Sequence, residues 1–396
     1  MYSLNEPRPW SIFSAKGVPK AKLQHSMASL FSGCGGFDLG FHFAGYQLIW
    51  ANDFNTDACM TYSENLGPIV EGDIVDIGFP NLNQNPDLLA AGFPCQSFSN
   101  AGSRRGVQDK RGALYRIALN AIEHFEPRVV VFENVRGLLS VKDGDKLVVQ
   151  LICERLTEIG YLPCFRLLDA SKYGVPQRRL RLIIVGVKDD SRNGVFAFPH
   201  ERGTDVGLSL EDTIFDIPSS APNQQELMPL NPQALEIGAM VPEGGSWKNI
   251  PYEMLPDRLK RIRDNMAHYR WPKFYRRFAR HEVAGTITAA FKPENAGVWH
   301  PIENRVLSVR EIARIQSFPD WWICHGRSVK SKYQQIGNAV PPKLAYEIAL
   351  QISDVLNGES PDGIRNFIAI DQFIQNGKPL RTRDPGVFLA KHCGRT

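Results

Sequence analysis

The sequence predicts an α/β protein built on a mostly parallel β-sheet with helices on both faces. From residue 27, short apolar runs alternate with segments whose apolar residues follow a helical period. This alternation is typical of a parallel sheet covered by helices. The 396 residues are 43% apolar and 22% charged, which is ordinary for a globular protein of one to three domains.

The alternation assigns the individual elements in chain order. The predicted strands are 28–31, 47–51, 87–92, 128–132 and 181–187, and the predicted helices are 36–44, 54–65, 113–125 and 146–159. Between about 191 and 282, Pro and Gly become frequent and apolar periodicity weakens, which indicates a separate, loop-rich unit.

Order returns near residue 286. Ser308 and Glu311 have the spacing of a capping box before a helix. Pro341 and Pro342 suit the first turn of a final helix, where backbone amides need no partner. The first 25 and last 40 residues are interpreted as peripheral extensions.

Cysteine spacing and hydropathy exclude several classes of protein. The seven cysteines include no pair at the spacing that zinc sites favour, which indicates reduced thiols and no structural metal. The apolar runs are far shorter than the ~20 residues of a membrane span, and the N-terminus lacks a hydrophobic signal core. We expect a soluble, cytoplasmic protein. The net charge of +4 does not by itself indicate nucleic-acid binding.

A glycine-rich turn (LFSGCGGFDLG) joins the first strand to the first helix. Gly33, Gly35 and Gly36 let the backbone turn sharply and approach a ligand at a helix N-terminus. Asp53 ends the next strand, and an acid at that distance can accept both hydroxyls of a ribose, while Phe54 can stack on an adenine. The pattern favours an adenosine-containing cofactor.

The type of cofactor stays open at this point, because NAD, FAD and S-adenosylmethionine all carry that ribose. The dinucleotide fingerprint would need glycine where Asp38 stands. A glycine turn also occurs for purely structural reasons. Asp73 is either a second cofactor contact, at the adenine edge, or a plain turn aspartate.

Cys95 and Glu133 are expected at the carboxyl edge of the sheet, in the company of two arginines. Cys95 follows a predicted strand, although a single cysteine is more often a small buried hydrophobic residue. Glu133 ends a neighbouring strand, and Arg179 and Arg181 open another, where strand alternation places them on one face. Ligands of open α/β folds bind at this edge.

A thiol, a carboxyl and paired arginines suit methylation of cytosine at carbon 5. That carbon is too poor a nucleophile to take a methyl group directly, but attack of the Cys95 thiolate on carbon 6 activates it. Glu133 would hold a proton at ring nitrogen 3, which requires a carboxyl whose pKa burial has raised. Arg181 would bond the base oxygen and orient Glu133.

Six motifs in sequence order resemble those of the DNA (cytosine-5) methyltransferases. They are Phe31 to Gly40, Pro94-Cys95-Gln96, Glu133-Asn134-Val135, Gln177 to Arg181, Arg310 to Pro319 and Gln335 to Pro342. The resemblance implies a Rossmann-like S-adenosylmethionine-dependent methyltransferase fold. It also implies methylation of a flipped-out cytosine in a specific short duplex sequence, through a covalent Cys95 adduct.

The resemblance implies roles for individual residues. Cys95 would be the nucleophile, with Glu133, Arg179 and Arg181 in the cytosine pocket. Cofactor contacts are expected from Phe31, Gly33, Gly35, Gly36, Asp53, Phe54, Asp73, Ile74, Leu114 and Asn338. Family members often carry Glu in place of Asp53 and Trp in place of Phe54. Both changes keep the chemistry and bear on affinity.

An enzyme of this kind must rotate its cytosine out of the duplex. A lid at 97–112 would bring phosphate-binding charge, although a solvated charged loop has the same composition. The expected DNA contacts are Gln96, Arg104, Arg105, Lys110, Arg111 and Thr286. In 258–280, nine of 23 residues are Lys or Arg and five are aromatic, which is typical of nucleic-acid contact or of a charged helix face with buried aromatics.

The same resemblance predicts the domains and partners. Residues 1–190 would begin the catalytic and cofactor-binding domain, 191–285 would form a smaller target-recognition domain, 286–356 would complete the catalytic domain, and 357–396 would be a C-terminal extension. We expect a monomer that acts on double-stranded DNA, associated with a bacterial or phage-type nucleoid. The sequence leaves open whether a restriction endonuclease accompanies it.

Three other functions are compatible with part of the sequence. A tRNA cytosine-5 methyltransferase has similar motifs, but the separate region of about 90 residues favours DNA. An NAD-dependent oxidoreductase would explain the glycine turn and Asp53 but not Cys95 or Glu133. A catalytically silent DNA-binding regulator would not need an intact thiol and carboxyl.

Overall fold

The computed structural model describes residues 24–94, 114–202, 209–266, 274–290 and 298–364, together with the backbone of four short strands beyond them. The strands are β1 (His25–Leu30), β2 (Tyr46–Asp53), β3 (Val70–Glu71), β4 (Leu88–Ala91), β5 (Val129–Val135), β6 (Lys142–Asp143), β7 (Lys146–Leu147), β8 (Tyr161–Asp169), β9 (Leu180–Lys188), β10 (Phe367–Ala369), β11 (Ile374–Gln375), β12 (Lys378–Pro379) and β13 (Val387–Leu389).

The helices follow the strands in alternation through the first half of the chain. They are α1 (Gly36–Phe43), α2 (Thr56–Asn65), α3 (Ile74–Ile77), α4 (Leu114–Phe125), α5 (Val148–Glu158), α6 (Leu210–Ile214), α7 (Pro232–Met240), α8 (Asp257–Asp264), α9 (Val309–Ile315), α10 (Val329–Asn338) and α11 (Pro342–Leu356).

One mixed sheet organises the molecule, with strand order β10-β13-β8-β9-β5-β4-β1-β2-β3 in the described part of the chain. Five strands, β3, β2, β1, β4 and β5, run parallel to one another. β9 lies between β5 and β8 and runs antiparallel to both. Because β9 is reversed, its first residues lie at the same edge as the last residues of β1, β4 and β5. The start of β9 therefore meets Glu133.

Helices cover both faces of the sheet, as predicted. On one face α4 and α5 bury apolar side chains such as Ile122 and Ile152 against the strands. On the other face α1 and α11 do the same with Phe41 and Ile348. The strongly apolar strands, such as β5, are buried on both sides, which is why their sequences read as continuous Val and Ile runs.

The predicted elements are present with ends shifted by a few residues, and β8 is the main strand that the sequence pattern missed. Pro163, Cys164 and Arg166 interrupt its apolar run, and Arg166 is buried beside Glu201, with 3.0 Å between Nη2 and Oε1. Because β8 is buried along nearly its whole length, it has no period-2 alternation, and the charged residue breaks the apolar run that marks the other central strands.

Two helix starts agree with the sequence. The Ser308 hydroxyl accepts a hydrogen bond from the Glu311 amide, and the Glu311 carboxylate accepts one from the Ser308 amide, which completes the predicted capping box. The final helix α11 begins at Pro342.

The predicted loop-rich region contains the short helices α6, α7 and α8 among turns. Its buried residues, such as Trp247 and Leu259, share one apolar cluster with Trp299, Ile312 of α9 and Tyr333 of α10. The region therefore packs directly against the segment that follows it. The boundaries at 191, 286 and 357 stay predictions. Over the described ranges, no helix is long and apolar enough to cross a membrane.

Asp38 is a fully buried carboxyl in the first turn of α1. It accepts hydrogen bonds from the Ser29 hydroxyl at 2.8 Å and the Tyr62 hydroxyl at 2.9 Å. Burial raises the pKa of Asp38 from 3.8 to about 6, against the opposing effect of these hydroxyls. The group links β1, α1 and α2 beneath the glycine turn.

Asp38→Asn should change how stability depends on pH. Because the folded protein holds the Asp38 proton more tightly than the unfolded chain, the stability from this group is full below pH 3.8 and is lost as the pH rises through about 6. We expect the free energy of unfolding of the wild type, relative to the variant, to fall by about 2–3 kcal/mol between pH 4 and pH 7 in urea titrations. Parallel profiles for the two proteins would contradict this expectation.

Candidate active site

Glu133 and Arg181 form a buried ion pair at the carboxyl edge of the sheet. The register of β5 and β9 places Val135 opposite Arg181, and Glu133 lies two residues earlier on the same face. The Nε atom of Arg181 is 2.6 Å from Oε1 of Glu133, and the two side chains are 8% and 10% exposed. Their charges therefore interact with little screening by water.

The pKa of Glu133 is raised above its ordinary value of 4.5. Burial is the larger effect, and the positive charges of Arg181 and Arg179 oppose it. A carboxyl of this kind keeps a proton closer to neutral pH than an exposed glutamate does. This is the direction that the proposed chemistry needs.

The backbone that leads to residue 94 passes directly beside this pair. A Cβ placed on Gly92 would lie 3.6 Å from Oε2 of Glu133. The carbonyl of Phe93 accepts a hydrogen bond from Nδ2 of Asn134 at 2.9 Å. Asn134, between Glu133 and Val135, thus ties the chain before residue 95 to the end of β5.

Several predicted site residues fall outside the described ranges. They are Cys95, Gln96, Arg104, Arg105, Lys110 and Arg111. Their roles stay predictions.

The five cysteines of the described residues are unsuited to nucleophilic attack. All are buried and free, and burial raises the pKa of each thiol, to about 12 for Cys59 and Cys153 and to about 11 for Cys324. The reactive form of cysteine is the thiolate, which these groups do not reach near neutral pH.

Arg179 is fully buried and bonds to backbone carbonyls. Its Nη1 donates to Ile287 at 2.7 Å, and its Nη2 donates to Gly337 at 2.7 Å and to Ala339 at 2.9 Å. A Cβ on Gly337 would lie 2.5 Å from the backbone of Thr288, so only glycine lets these segments meet here. Arg179 joins the start of β9 to the segment after the loop-rich region, within electrostatic range of Glu133.

Gln177 is a buried residue to which the sequence reasoning assigned no separate role. Its Oε1 accepts from the Ile287 amide at 2.9 Å, and its Nε2 donates to Oε1 of Gln316 at 3.0 Å. The sequence feature that could have indicated this buried role is the position of the glutamine, between an apolar loop and two arginines. Thr286 lies nearby on the surface, and its hydroxyl donates to the Arg178 carbonyl at 2.8 Å.

The glycine turn is built for close approach. Gly35 caps α1 with φ of +89°, in the left-handed region that favours glycine. A Cβ on Gly36 would lie 2.5 Å from the Val340 carbonyl. The turn therefore packs against the chain just after Asn338, which is exposed at the end of α10.

Asp53 holds this turn from the end of β2. Its Oδ2 accepts from the Gly33 amide and its Oδ1 from the Asn55 amide, both at 2.8 Å, and burial raises its pKa. Each carboxylate oxygen has a further lone pair for a ligand hydroxyl. Beside it, Phe54 is 66% exposed, which is unusual for a phenylalanine.

The other predicted cofactor contacts lie around the same end of the sheet. Asp73 follows β3, the neighbour of β2, and caps α3 by accepting from the Val75 amide at 3.0 Å. Ile74, Phe31 and Leu114 pack in or against the apolar cluster of α4 and α5. The structure thus groups these residues, and no group with metal-ligating character occurs among the described residues.

The basic segment 258–280 is partly used for internal packing. Leu259 and Ile262 of α8 are buried, and Arg263 lies over the Trp247 ring and donates to the Ile250 carbonyl. Arg277 is buried and donates to the backbone of the loop-rich region. These contacts match the alternative of a charged helix face over buried aromatics for that part of the segment.

The family model for C-5 cytosine-specific DNA methylases matches residues 25–354 of the chain. The chain belongs to this family. As a C-5 cytosine-specific DNA methylase it is a DNA (cytosine-5) methyltransferase, and the family uses S-adenosylmethionine as methyl donor. The fold, enzyme class and cofactor predicted from the sequence are confirmed, and the tRNA and NAD alternatives are not supported.

The methylase has curated bacterial relatives of similar length. It is 37% identical over 343 residues to the type II methyltransferase M.NgoFVII of Neisseria gonorrhoeae, covering 83% of this chain and 86% of that protein. It is 35% identical over 353 residues to the type II methyltransferase M.Eco47II of Escherichia coli, covering 84% and 80%.

Solved structures share the methylase fold at lower identity. A DNA modification methyltransferase encoded within an Escherichia coli prophage superposes with a TM-score of 0.58 at 20% identity, covering 84% of this chain and 100% of that one. A Spodoptera frugiperda DNMT2 variant gives 0.55 at 19% identity, covering 83% and 100%.

Proposed function

We propose that this methyltransferase acts on a cytosine rotated out of a specific short duplex sequence, with Cys95 as covalent nucleophile. The observation that carries the proposal is the buried Glu133–Arg181 pair beside the backbone that leads to residue 94. The raised pKa values of the five described cysteines also support Cys95, because those thiols stay protonated.

The residues divide the chemistry among themselves. The Cys95 thiolate bonds to carbon 6 while Glu133 holds a proton at ring nitrogen 3, and the electron pair of the ring moves to carbon 5. Arg181 donates to the base oxygen and keeps Glu133 in place. Bound S-adenosylmethionine would supply the methyl group to carbon 5 and would leave as S-adenosylhomocysteine. The hydrogen on carbon 5 is then lost as a proton to solvent, its electron pair re-forms the double bond to carbon 6, and the Cys95 sulfur leaves carbon 6 with the electron pair of the C–S bond.

The described residues fit S-adenosylmethionine by their chemistry. Asp53 offers carboxylate lone pairs to ribose hydroxyls, and the exposed Phe54 offers a ring face to an adenine. Gly33, Gly35 and Gly36 allow close approach of the backbone, with Phe31, Ile74, Leu114, Asp73 and Asn338 around it. Arg179 acts as a positioning residue, since its Nη donors bond to backbone carbonyls.

Duplex DNA is the proposed partner, contacted by Thr286 and by Gln96, Arg104, Arg105, Lys110 and Arg111. We assign the methyltransferase to the cytoplasm, at the nucleoid, as a monomer. A companion restriction endonuclease is proposed because the bacterial relatives are named type II methyltransferases.

Purified protein should transfer a labelled methyl group to duplex DNA and not to tRNA. Bisulfite sequencing of DNA from expressing cells should then show protected cytosines within one short sequence, which reports the target. Label in tRNA alone, or modified cytosines without a shared sequence, would contradict the proposal.

A further inference from the structure

We propose that Arg136 and Arg178 form a phosphate clamp that holds the DNA backbone beside the rotated cytosine. The name refers to these two side chains only. The inference rests on the proposed function and adds two residues to which neither the motif comparison nor the family match assigns a role.

Both arginines lie just beyond the Glu133–Arg181 pair. The register of β5 and β9 ends with Val135 opposite Arg181. Arg136 directly follows the last paired residue of β5, and Arg178 comes three residues before Arg181. The segment after β5 and the segment before β9 therefore each place one arginine beyond the buried pair. Both arginines lie at the edge of the sheet where a rotated base must enter.

The two side chains are exposed and free to bind. Within the described ranges, no carboxylate lies at ion-pair distance from Arg136 or Arg178, and neither guanidinium has a hydrogen-bond acceptor there. Other arginines near this edge are already engaged: Arg181 by Glu133, and Arg116 by Asp143 at 2.5 Å. An unpaired guanidinium at a nucleic-acid enzyme's pocket is available for a phosphate.

The main chain beneath each arginine is held by neighbours. The Arg178 amide donates to the Ala284 carbonyl at 2.8 Å, and its carbonyl accepts from the Thr286 hydroxyl at 2.8 Å. Arg136 starts a 3₁₀ helix, Arg136–Ser140, which is anchored by the buried Leu138 and Leu139. A fixed backbone leaves only side-chain freedom to lose on binding, and the planar guanidinium matches two phosphate oxygens.

Rotation of a base breaks stacking and pairing that must be offset by new contacts. The pocket itself presents a carboxyl, Glu133, which repels phosphate when it is ionised. Positive charge at the rim, supplied from both β5 and β9, attracts the backbone to the position from which the base can turn inward. The clamp therefore acts on binding of duplex DNA and not on the bond-making step.

The test is the salt dependence of DNA affinity. Arg136→Gln and Arg178→Gln should each lower the slope of log Kd against log salt by about 1 and weaken binding about tenfold near 100 mM salt. The double variant should lower the slope by about 2. Arg136→Lys and Arg178→Lys, which keep the charge, should retain the wild-type slope.

Arg192→Gln is the control for loss of one positive charge. Arg192 lies beyond the C-terminal end of β9, hence at the opposite edge of the sheet, and its side chain is 71% exposed and paired with Asp190 at 2.5 Å. This substitution lowers the net charge by the same amount as each clamp variant and should leave the slope unchanged. Thermal unfolding measurements check that each variant is folded. If one of the two Gln variants does not fold, the salt dependence of the other one tests the clamp.

The outcomes separate the clamp from the proposed function. If the wild type fails to methylate duplex DNA, the proposed function is wrong. If the wild type methylates DNA and both Gln variants keep its slope, the clamp is wrong. The clamp is equally wrong if Arg192→Gln lowers the slope as much as they do, because the effect would then reflect total charge.

Discussion

Cys95→Ala is expected to reduce methyl transfer at least ~10⁴-fold, because without the thiolate carbon 5 never becomes nucleophilic. The measurement is single-turnover transfer of labelled methyl to duplex DNA. Affinity for the duplex should change little, because alanine removes only a sulfur atom. Activity within tenfold of the wild type would overturn the assignment of Cys95.

A chemical trap tests the covalent step directly. In DNA that carries 5-fluorocytosine at the target, carbon 5 bears fluorine in place of the hydrogen that must finally be lost as a proton. With S-adenosylmethionine present, the wild type should therefore stay attached to DNA under denaturing conditions. Cys95→Ala should not. Cys153→Ala is the matched control, since that thiol is fully buried between α5 and the sheet, and it should keep turnover within about twofold of the wild type.

Glu133→Gln should lower kcat about 10²–10⁴-fold, which is the usual contribution of a positioned proton donor or acceptor. Glutamine has the same shape but cannot exchange a proton with ring nitrogen 3. The KM for S-adenosylmethionine should stay near the wild-type value, because Glu133 is assigned to the base and not to the cofactor. Glu123→Gln, which changes a surface ion pair with Arg155, is the control and should keep kcat.

The pH profile offers an independent check on Glu133. Its raised pKa means that the protonated form persists to higher pH than in an exposed glutamate and is lost as the pH rises through that raised value. If the protonated form is the active one, kcat of the wild type should fall on that alkaline limb. The limb should be missing from Glu133→Gln, and its persistence there would assign it to another group.

Local sequence patterns predict the parts of this structure that depend on neighbours along the chain. A few adjacent residues are enough to predict the local structure at three places. These are the apolar run of β5, the glycine turn before α1 and the capping box of Ser308. Glu133 ends its strand, so the rule that ligands bind at the carboxyl ends of strands places it at this edge. Arg181 begins its strand, and it reaches the same edge only because β9 runs antiparallel to β5.

The missed features depend on contacts between distant segments. The residues next to Arg179 in the sequence do not predict its hydrogen-bond partners. These are the carbonyls of Ile287 and Gly337, which come 108 and 158 residues later. The reversal of β9 is likewise a property of the assembled sheet and not of its own sequence. Asp38 looks like an exposed first-turn aspartate until α2 brings Tyr62 over it.

The bonds of Arg179 bear on when the enzyme becomes active during its synthesis. A chain still on the ribosome and shorter than about 337 residues has Cys95, Glu133 and Arg181 but lacks the carbonyls of Gly337 and Ala339 that hold Arg179. By the time those residues emerge, the whole loop-rich region has been translated. Fragments that carry Glu133 and Arg181 but end before residue 337 therefore lack two of the carbonyls that hold Arg179, and we expect them to be inactive as methyltransferases.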